Sequence, residues 1–335
     1  MSSKQENKMA KSSDKEESIS NNISKIMKKK YSSYYQGTAP KLNRIDSGLL
    51  GLDRILGGGL PCGRIIELFS DPSAGKTTTA QFFMKHLISR GYNVGYLDLE
   101  RTVDEERLKE LGLGGELFHY SRPDNGTQAM ELLIDSIELG MKMVVVDSVP
   151  FLGTDAYYDS DLGAQVMAPQ AVLLSRVQHR IVPVIEQNDA IVIFINQIRS
   201  NIGKYGNPKD SSGGNALKFM CSVRLRLSRA ETAQDGSGFT IKFKTEKNKT
   251  GPEKKTCLVQ LNYNTGLSPM SSLRDAMEEL DLLYNKASWY YFTKELTDYL
   301  GLESSQICQG KHNVDKFISD NPEIYSKLYE YVLKY

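Results

Sequence analysis

An α/β fold built on a mostly parallel, twisted sheet is predicted by two features of this sequence. Apolar runs of strand length recur at Ile65–Phe69, Val94–Leu99, Met143–Asp147 and Ile191–Ile195, and amphipathic helical stretches separate them. That alternation places helices on both faces of the sheet. The bulk properties agree: 335 residues, 40% hydrophobic and 25% charged, suffice for one large domain with smaller appendages.

The same bulk properties exclude several classes of function. No apolar run reaches membrane-span length and the N-terminal stretch is hydrophilic, so neither insertion nor secretion is expected and a cytoplasmic location is. A net charge of +1 creates no general positive field, so a polyanion would have to be met by locally concentrated basic residues. Cys62, Cys221, Cys257 and Cys308 lie far apart without paired spacing, which reads as reduced, mostly buried thiols. The four histidines are equally scattered and imply no metal cluster.

Taken in order, residues 1–18 are rich in Ser, Lys, Glu and Asn and read as a disordered polar tail. Ile19, Ile23, Ile26 and Met27 recur at helical spacing before the basic run Lys28–Lys30, a pattern that by itself describes a short solvated helix. The α/β core spans residues 39–269. After its first strand, Ala80, Phe83, Met84, Leu87 and Ile88 share one helix face, which is a core face. Beyond Gly266 the pattern changes to a helix with Leu273, Met277 and Leu280, a hairpin-like aromatic stretch at Trp289–Phe292, and a last helix with Tyr325, Leu328 and Val332. Residues 270–335 therefore read as a small α/β C-terminal domain.

A nucleotide site is written into the segment SDPSAGKT, which follows a strand and opens a helix. Residues Ser70, Asp71, Pro72, Ser73, Ala74 and Gly75 surround a phosphate position, all but the proline offering a backbone N–H, and the helix start at Lys76, Thr77 and Thr78 adds its partial positive charge. Lys76 is placed for the β- and γ-phosphates of ATP and the Thr77 hydroxyl for Mg²⁺. Ser70 stands where such loops normally begin with Gly, and a strained backbone angle is expected there. Asp147 ends an apolar strand, where a carboxylate can hold the Mg²⁺ water shell, and Ser148 follows it. Glu100 ends the stretch YLDLE; on residues alone, a solvated loop carboxylate competes with a catalytic one. Asp98, two residues earlier on the same side of the strand, is a poorer substitute.

The segment FINQIRSNIGKYGNPKDSSGGNALKF (194–219) carries the strongest functional signal. A strand ends in Asn196 and Gln197, and a mildly basic Gly/Asn/Ser/Lys stretch follows with only Ile202 and Tyr205 as larger apolar or aromatic groups. Loops of this length inside a compact α/β domain are usually functional or disordered. Here the chain closely resembles the RecA recombinase family, through the Asn-Gln-Ile-Arg strand end, the Gly-Asn-Pro of the loop and the Gly-Gly-Asn-Ala-Leu-Lys-Phe re-entry. Trp289, the Gln309-Gly310-Lys311 turn and the Asn321-Pro322 helix start extend the resemblance, which runs from about residue 19 to the end.

The resemblance implies a RecA-type P-loop NTPase core, an N-terminal oligomerisation helix and linker at 19–38, and the C-terminal domain at 270–335. It implies an ATP- and Mg²⁺-dependent recombinase that forms a homo-oligomeric helical filament on single-stranded DNA and exchanges strands with homologous double-stranded DNA. Glu100 becomes the general base for the attacking water and Gln197 the γ-phosphate sensor that reports to residues 198–213. Lys247 and Lys249, which alone would mark a solvent face, reach a neighbouring subunit's γ-phosphate in the manner of arginine fingers. Asp104 faces the adenine amino group and Tyr263 packs on the base. Arg107 stands where the bacterial enzymes typically have an aromatic residue, and its guanidinium can stack on a purine.

For DNA, Arg199 and Lys204 meet phosphates, Ile202 wedges between bases, and the neighbouring Gly203, Gly206, Gly213, Gly214 and Asn215 supply backbone contacts. A second loop at about 157–168, with Tyr157, Tyr158, Asp159, Asp161 and Met167, also faces DNA. Arg176 and Arg180 lie one turn apart on the next helix, and Lys311 matches a position for capturing duplex. Phe219 packs into an adjacent protomer. Two rivals remain open at this point: a filament-forming DNA-binding paralogue without strand exchange, and a hexameric motor on the same core.

Overall fold

The computed structural model describes residues 19–33, 35–37, 39–153, 169–200, 209–233 and 235–335. It separates into two units, Met1–Leu42 and Asn43–Tyr335. The polar tail expected at 1–18 lies outside the described residues. In the first unit, residues 19–30 form helix α1, and the Ile19, Ile23 and Ile26 side chains on it are all exposed.

In the second unit, strand β1 (Arg44–Ile45) pairs antiparallel with β2 (Leu60–Pro61), and helix α2 (Leu50–Leu56) lies between them in sequence. Then come β3 (Arg64–Ser70), α3 (Lys76–Ser89), β4 (Val94–Asp98), α4 (Glu105–Glu110), β5 (Phe118–Ser121), α5 (Gly126–Glu138) and β6 (Met143–Asp147). Helix α6 (Pro169–Gln187) leads to β7 (Ile191–Ser200), which pairs antiparallel with the short β8 (Lys209–Ser211). Helix α7 (Gly214–Met220) and strands β9 (Val223–Thr232), β10 (Gly238–Asn248), β11 (Thr256–Asn262) and β12 (Gly266–Leu267) follow.

The large sheet has the order β12-β11-β10-β9-β3-β7-β6-β4-β5. From β9 to β5 all neighbours run parallel, and from β9 to β12 they run antiparallel. The sequence pattern accounts for this division. The four runs that read as continuous apolar strands are central, covered on both faces, and buried along nearly their whole length. β11 instead alternates buried and exposed residues, as a strand with one wet face does. On one side the sheet packs against α3 through Ala80, Phe83, Met84 and Leu87; on the other, Leu133, Ile137, Leu174 and Ile181 of α5 and α6 form a second apolar cluster.

Because the central strands are parallel and in register, their carboxyl ends coincide. Ser70 pairs with Gln197, Asp98 with Asp147, and Asp147 with Ile195. Ligand sites of open α/β sheets form at that edge.

After β12, α8 (Pro269–Glu279) starts with proline in its first turn and Ser268 as its N-cap. A three-stranded antiparallel sheet of β13 (Leu283–Lys286), β14 (Trp289–Phe292) and β15 (Gln306–Gln309) follows, with α9 (Lys294–Leu300) inserted before β15. The chain continues through α10 (Lys311–Asp320) and α11 (Pro322–Val332). Leu273, Met277, Phe292, Leu296, Val314, Ile318 and Leu328 bury one another in a cluster of their own, which Leu50 of α2 joins.

Candidate active site

Between β3 and α3, residues 71–75 form a tight loop that ends at Gly75, the helix N-cap, with φ 88°. A Cβ at Gly75 would lie 2.7 Å from Ile241 Cδ1, a side-chain end that could shift, so it is the left-handed backbone angle that favours glycine here. The expectation for Ser70 is corrected. Ser70 is the buried last residue of β3 and is not in the left-handed region; the loop's positive non-glycine φ, 58°, falls on Ser73. A strand-end backbone has ordinary extended geometry, so serine costs nothing there. Its hydroxyl instead accepts a hydrogen bond from Lys76 Nζ at 2.8 Å and donates to the Asp71 carbonyl at 2.6 Å. Lys76 Nζ also donates to that carbonyl at 3.2 Å. Burial lowers the Lys76 pKa, against the opposing charges of Asp147, Glu100 and Asp71.

Thr77 Oγ1 donates to Asp147 Oδ2 at 2.9 Å, and the phenol of Tyr96 donates to the same oxygen at 2.8 Å. Burial pushes the Asp147 carboxyl up to about 6, with these donors acting in the opposite direction. A hydroxyl and a carboxylate beside a lysine at a helix start form the oxygen-rich, anion-tolerant environment that suits Mg²⁺ with a triphosphate. The residues present therefore fit both groups.

Glu100 follows β4 and reaches across to the ends of two neighbouring strands. Its Oε1 accepts from Ser148 Oγ at 2.5 Å and from Gln197 Nε2 at 3.4 Å, and its backbone N–H donates to the Asp147 carbonyl at 3.2 Å. Asp98 is committed elsewhere: its carboxylate accepts from the backbone N–H groups of Arg101 (2.8 Å) and Val103 (3.3 Å) and from the Tyr120 phenol (2.7 Å). It shapes the turn after Glu100.

A cavity of about 250 Å³ opens beside the phosphate loop, lined by Ser73 to Thr78 together with Arg229, Phe239, Leu261 and Tyr263. Tyr263 is 47% exposed and packs on Phe239. Asp104 and Arg107 do not line this cavity. Asp104 caps α4, accepting from the Arg107 N–H at 2.7 Å, and the Arg107 guanidinium pairs with Glu110.

The base of the long loop is a ribbon, since β7 continues past Ile195 and its backbone at Ile198–Ser200 forms a ladder with residues 209–211 of β8. Asn196 ties the loop's return, donating to the Ser212 carbonyl (2.7 Å) and to Glu67 Oε1 (2.8 Å). Glu67 is fully buried and paired with Arg224. Gly213, with φ 88°, caps α7, Gly214 opens it, and Asn215 is exposed in its first turn. Ile202, Gly203, Lys204 and Gly206 lie outside the described residues, as do Tyr157, Tyr158, Asp159, Asp161 and Met167. Arg176 and Arg180 are exposed on α6. Lys311 opens α10 and pairs with Asp275 (3.3 Å) and Glu278 (3.5 Å) of α8 while 47% exposed.

Lys247 and Lys249 are placed away from the cavity at the phosphate loop. Lys247 Nζ donates to the Lys218 carbonyl (2.5 Å) and the Phe219 carbonyl (3.5 Å) at the end of α7. Lys249 lines a separate cavity of about 510 Å³ with Gln178, His179 and Phe219, whose ring is 71% exposed.

Comparison with known proteins identifies the family. The family model of the RecA N-terminal domain matches residues 16–268. The chain is 33% identical over 329 residues to the protein RecA of Rickettsia bellii, spanning 94% of this chain and 92% of that one. The chain belongs to the RecA family. It is also 36% identical over 289 residues to the protein RecA of Halalkalibacterium halodurans, spanning 84% of this chain and 80% of that one. With the protein RecA of Bacillus subtilis the identity is 35% over 301 residues, spanning 88% and 84%. The chain is a RecA-type DNA recombinase, and its nucleotide-binding core is that of a DNA-dependent ATPase. Among the described residues no helix is long and apolar enough to cross a membrane.

Three features of this RecA-family site escape a sequence reading. Tyr96 bonds to Asp147, the Glu67–Arg224 pair anchors Asn196, and Arg229 donates to the Ser73 carbonyl at 2.9 Å while stacking 4.1 Å from the Phe239 ring centroid. For Tyr96 and Glu67 the available signal is a polar group inside an apolar run, since a buried polar group needs a partner; the exposed Arg229 carries no such signal.

Proposed function

We propose that ATP and Mg²⁺ bind on residues 70–78, with Lys76 at the phosphates and Thr77 and Asp147 as the oxygen donors for the cation. Bound there, Mg²⁺ would neutralise charge on the phosphates and orient them. Glu100 takes the proton of the attacking water, held in place by Ser148. Asp104, Arg107 and Tyr263 contact the base. Lys247 and Lys249 act on the phosphate of an adjacent subunit, so the helical filament completes the site. Residues 198–213, including Arg199, Ile202, Gly203, Lys204 and Gly213, together with Gly214 and Asn215, hold single-stranded DNA. Met167 and Arg176 extend that contact, and Lys311 receives homologous double-stranded DNA. The helix and linker at 19–38 join subunits, 39–269 is the motor core, 270–335 is a duplex-capturing domain, and the protein works in the cytoplasm.

One contact carries the reading: the Gln197 amide bonded to Glu100 at 3.4 Å, from the strand that runs into the loop. It supports a link between the state of the nucleotide and the state of the loop. The test is ATP turnover with and without single-stranded DNA, followed by strand exchange. Wild-type protein should hydrolyse ATP in a DNA-stimulated manner and exchange strands, and Lys76→Ala should lose both. Stimulated turnover without exchange would favour a motor instead. DNA-bound filaments with negligible turnover would favour a non-exchanging paralogue.

A further inference from the structure

We propose that Tyr96 is a positioning residue of this ATPase site, its phenol fixing the carboxylate of Asp147 for the divalent cation; the inference rests on the ATPase reading above. Tyr96 lies on β4 with no exposed surface, and its ring belongs to the apolar cluster of Phe83, Met84, Leu87, Val145 and Ile193. Phenylalanine would fill that space equally well, so packing does not account for the hydroxyl. A buried hydroxyl is costly unless bonded, and this one donates to Asp147 Oδ2 at 2.8 Å.

The geometry says what the bond does. Thr77 Oγ1 and Tyr96 Oη both donate to Oδ2, one from the helix above and one from the neighbouring strand. Two donors from different elements hold one oxygen against rotation and leave the other engaged by neither. Thr77 lies in the first turn of α3, just after the phosphate loop, whereas Tyr96 lies within the buried strand β4 of the sheet. Its ring packs at a tilt against Tyr120, 5.9 Å between centroids, and Tyr120 in turn bonds Asp98. Groups that orient a metal-binding carboxylate in this way typically contribute tenfold or more to metal affinity.

Tyr96→Phe in the full chain tests this. Binding of a fluorescent ATP analogue is titrated with and without Mg²⁺, and DNA-stimulated turnover is followed against Mg²⁺ concentration. The Mg²⁺ concentration for half-saturation should rise about 10-fold in both measurements, with nucleotide affinity in the absence of Mg²⁺ unchanged. An unchanged Mg²⁺ midpoint would overturn the proposal and leave the hydroxyl a purely structural role. If wild-type protein lacked Mg²⁺-dependent turnover, the ATPase reading itself would fail, a distinct result. Should the variant not fold, a crystal structure of wild type with Mg²⁺ and a non-hydrolysable ATP analogue decides. Retention of the Tyr96–Asp147 bond with Asp147 facing the cation supports the assignment, and an Asp147 side chain turned away from Tyr96 refutes it.

Discussion

Glu100 Oε1 receives two donors of unequal quality. Ser148 holds it at 2.5 Å, while the Gln197 amide stands at 3.4 Å, the long end of hydrogen bonding. A tight bond fixes the carboxylate, and a long one is readily made or lost. Gln197→Ala should therefore retain nucleotide binding but lose most of the DNA stimulation, with turnover on single-stranded DNA falling at least about 10-fold. Fluorescent-nucleotide titration beside a turnover assay measures the two effects separately, and an undiminished DNA stimulation would remove Gln197 from the coupling. The residues legible in the sequence were those fixed by position on an element. Lys76 and Thr77 open a helix, and Asp147 closes an apolar strand. Ser70, Tyr96 and Arg229 were not legible as partners of Lys76, Asp147 and the Ser73 carbonyl. Their roles come from side chains meeting across the phosphate loop or the sheet.

At the scale of elements, α7 is held at both ends by the machinery around it. Asn196 and the Gly213 cap fix its start at the loop's return, and Lys247 grips its last carbonyls next to the exposed Phe219. Helix α7 therefore links residues 212 and 213 to the surface that Phe219 and Lys249 share. A second tie joins the last helix to the core: the Tyr329 phenol on α11 donates to the fully buried Asp53 of α2 at 2.6 Å, and the Ser47 N–H donates to the same carboxylate at 2.9 Å. Burial raises the Asp53 pKa from 3.8 to about 6, and the Tyr329 bond lowers it. The folded chain thus holds this proton more tightly than the unfolded one. The resulting stability is fully present below about 4 and is lost as pH rises through about 6. Tyr329→Phe removes a donor to the charged form, so it should destabilise by about 1–3 kcal/mol at pH 7.5 and by less at pH 4.5. Urea unfolding at the two pH values checks this, and an equal loss at both would contradict it. The central strands were legible because burial on both faces makes them continuous apolar runs. Helix α9 was not, since it buries only Leu296, Thr297 and Leu300. Nor was β8, whose polar residues show no alternation and whose strand character comes from pairing with β7.

At the scale of the whole molecule, the phosphate loop and Glu100 lie at one edge of the sheet, while Lys247 and Lys249 belong to a separate surface with Phe219. On the function proposed above, a single chain carries two halves of a catalytic site, and a head-to-tail contact between copies would join them in an open helical array. The measurement that bears most directly on this is a mixing experiment on single-stranded DNA with ATP and Mg²⁺. One variant carries Glu100→Gln and keeps its lysines; the other carries Lys247→Ala with Lys249→Ala and keeps Glu100. Each alone should be nearly inactive. In an equal, random mixture roughly one interface in four pairs an intact Glu100 with intact lysines, so turnover should recover to about a quarter of wild type. A mixture that remains as inactive as its two components would contradict a nucleotide site completed by the neighbouring subunit.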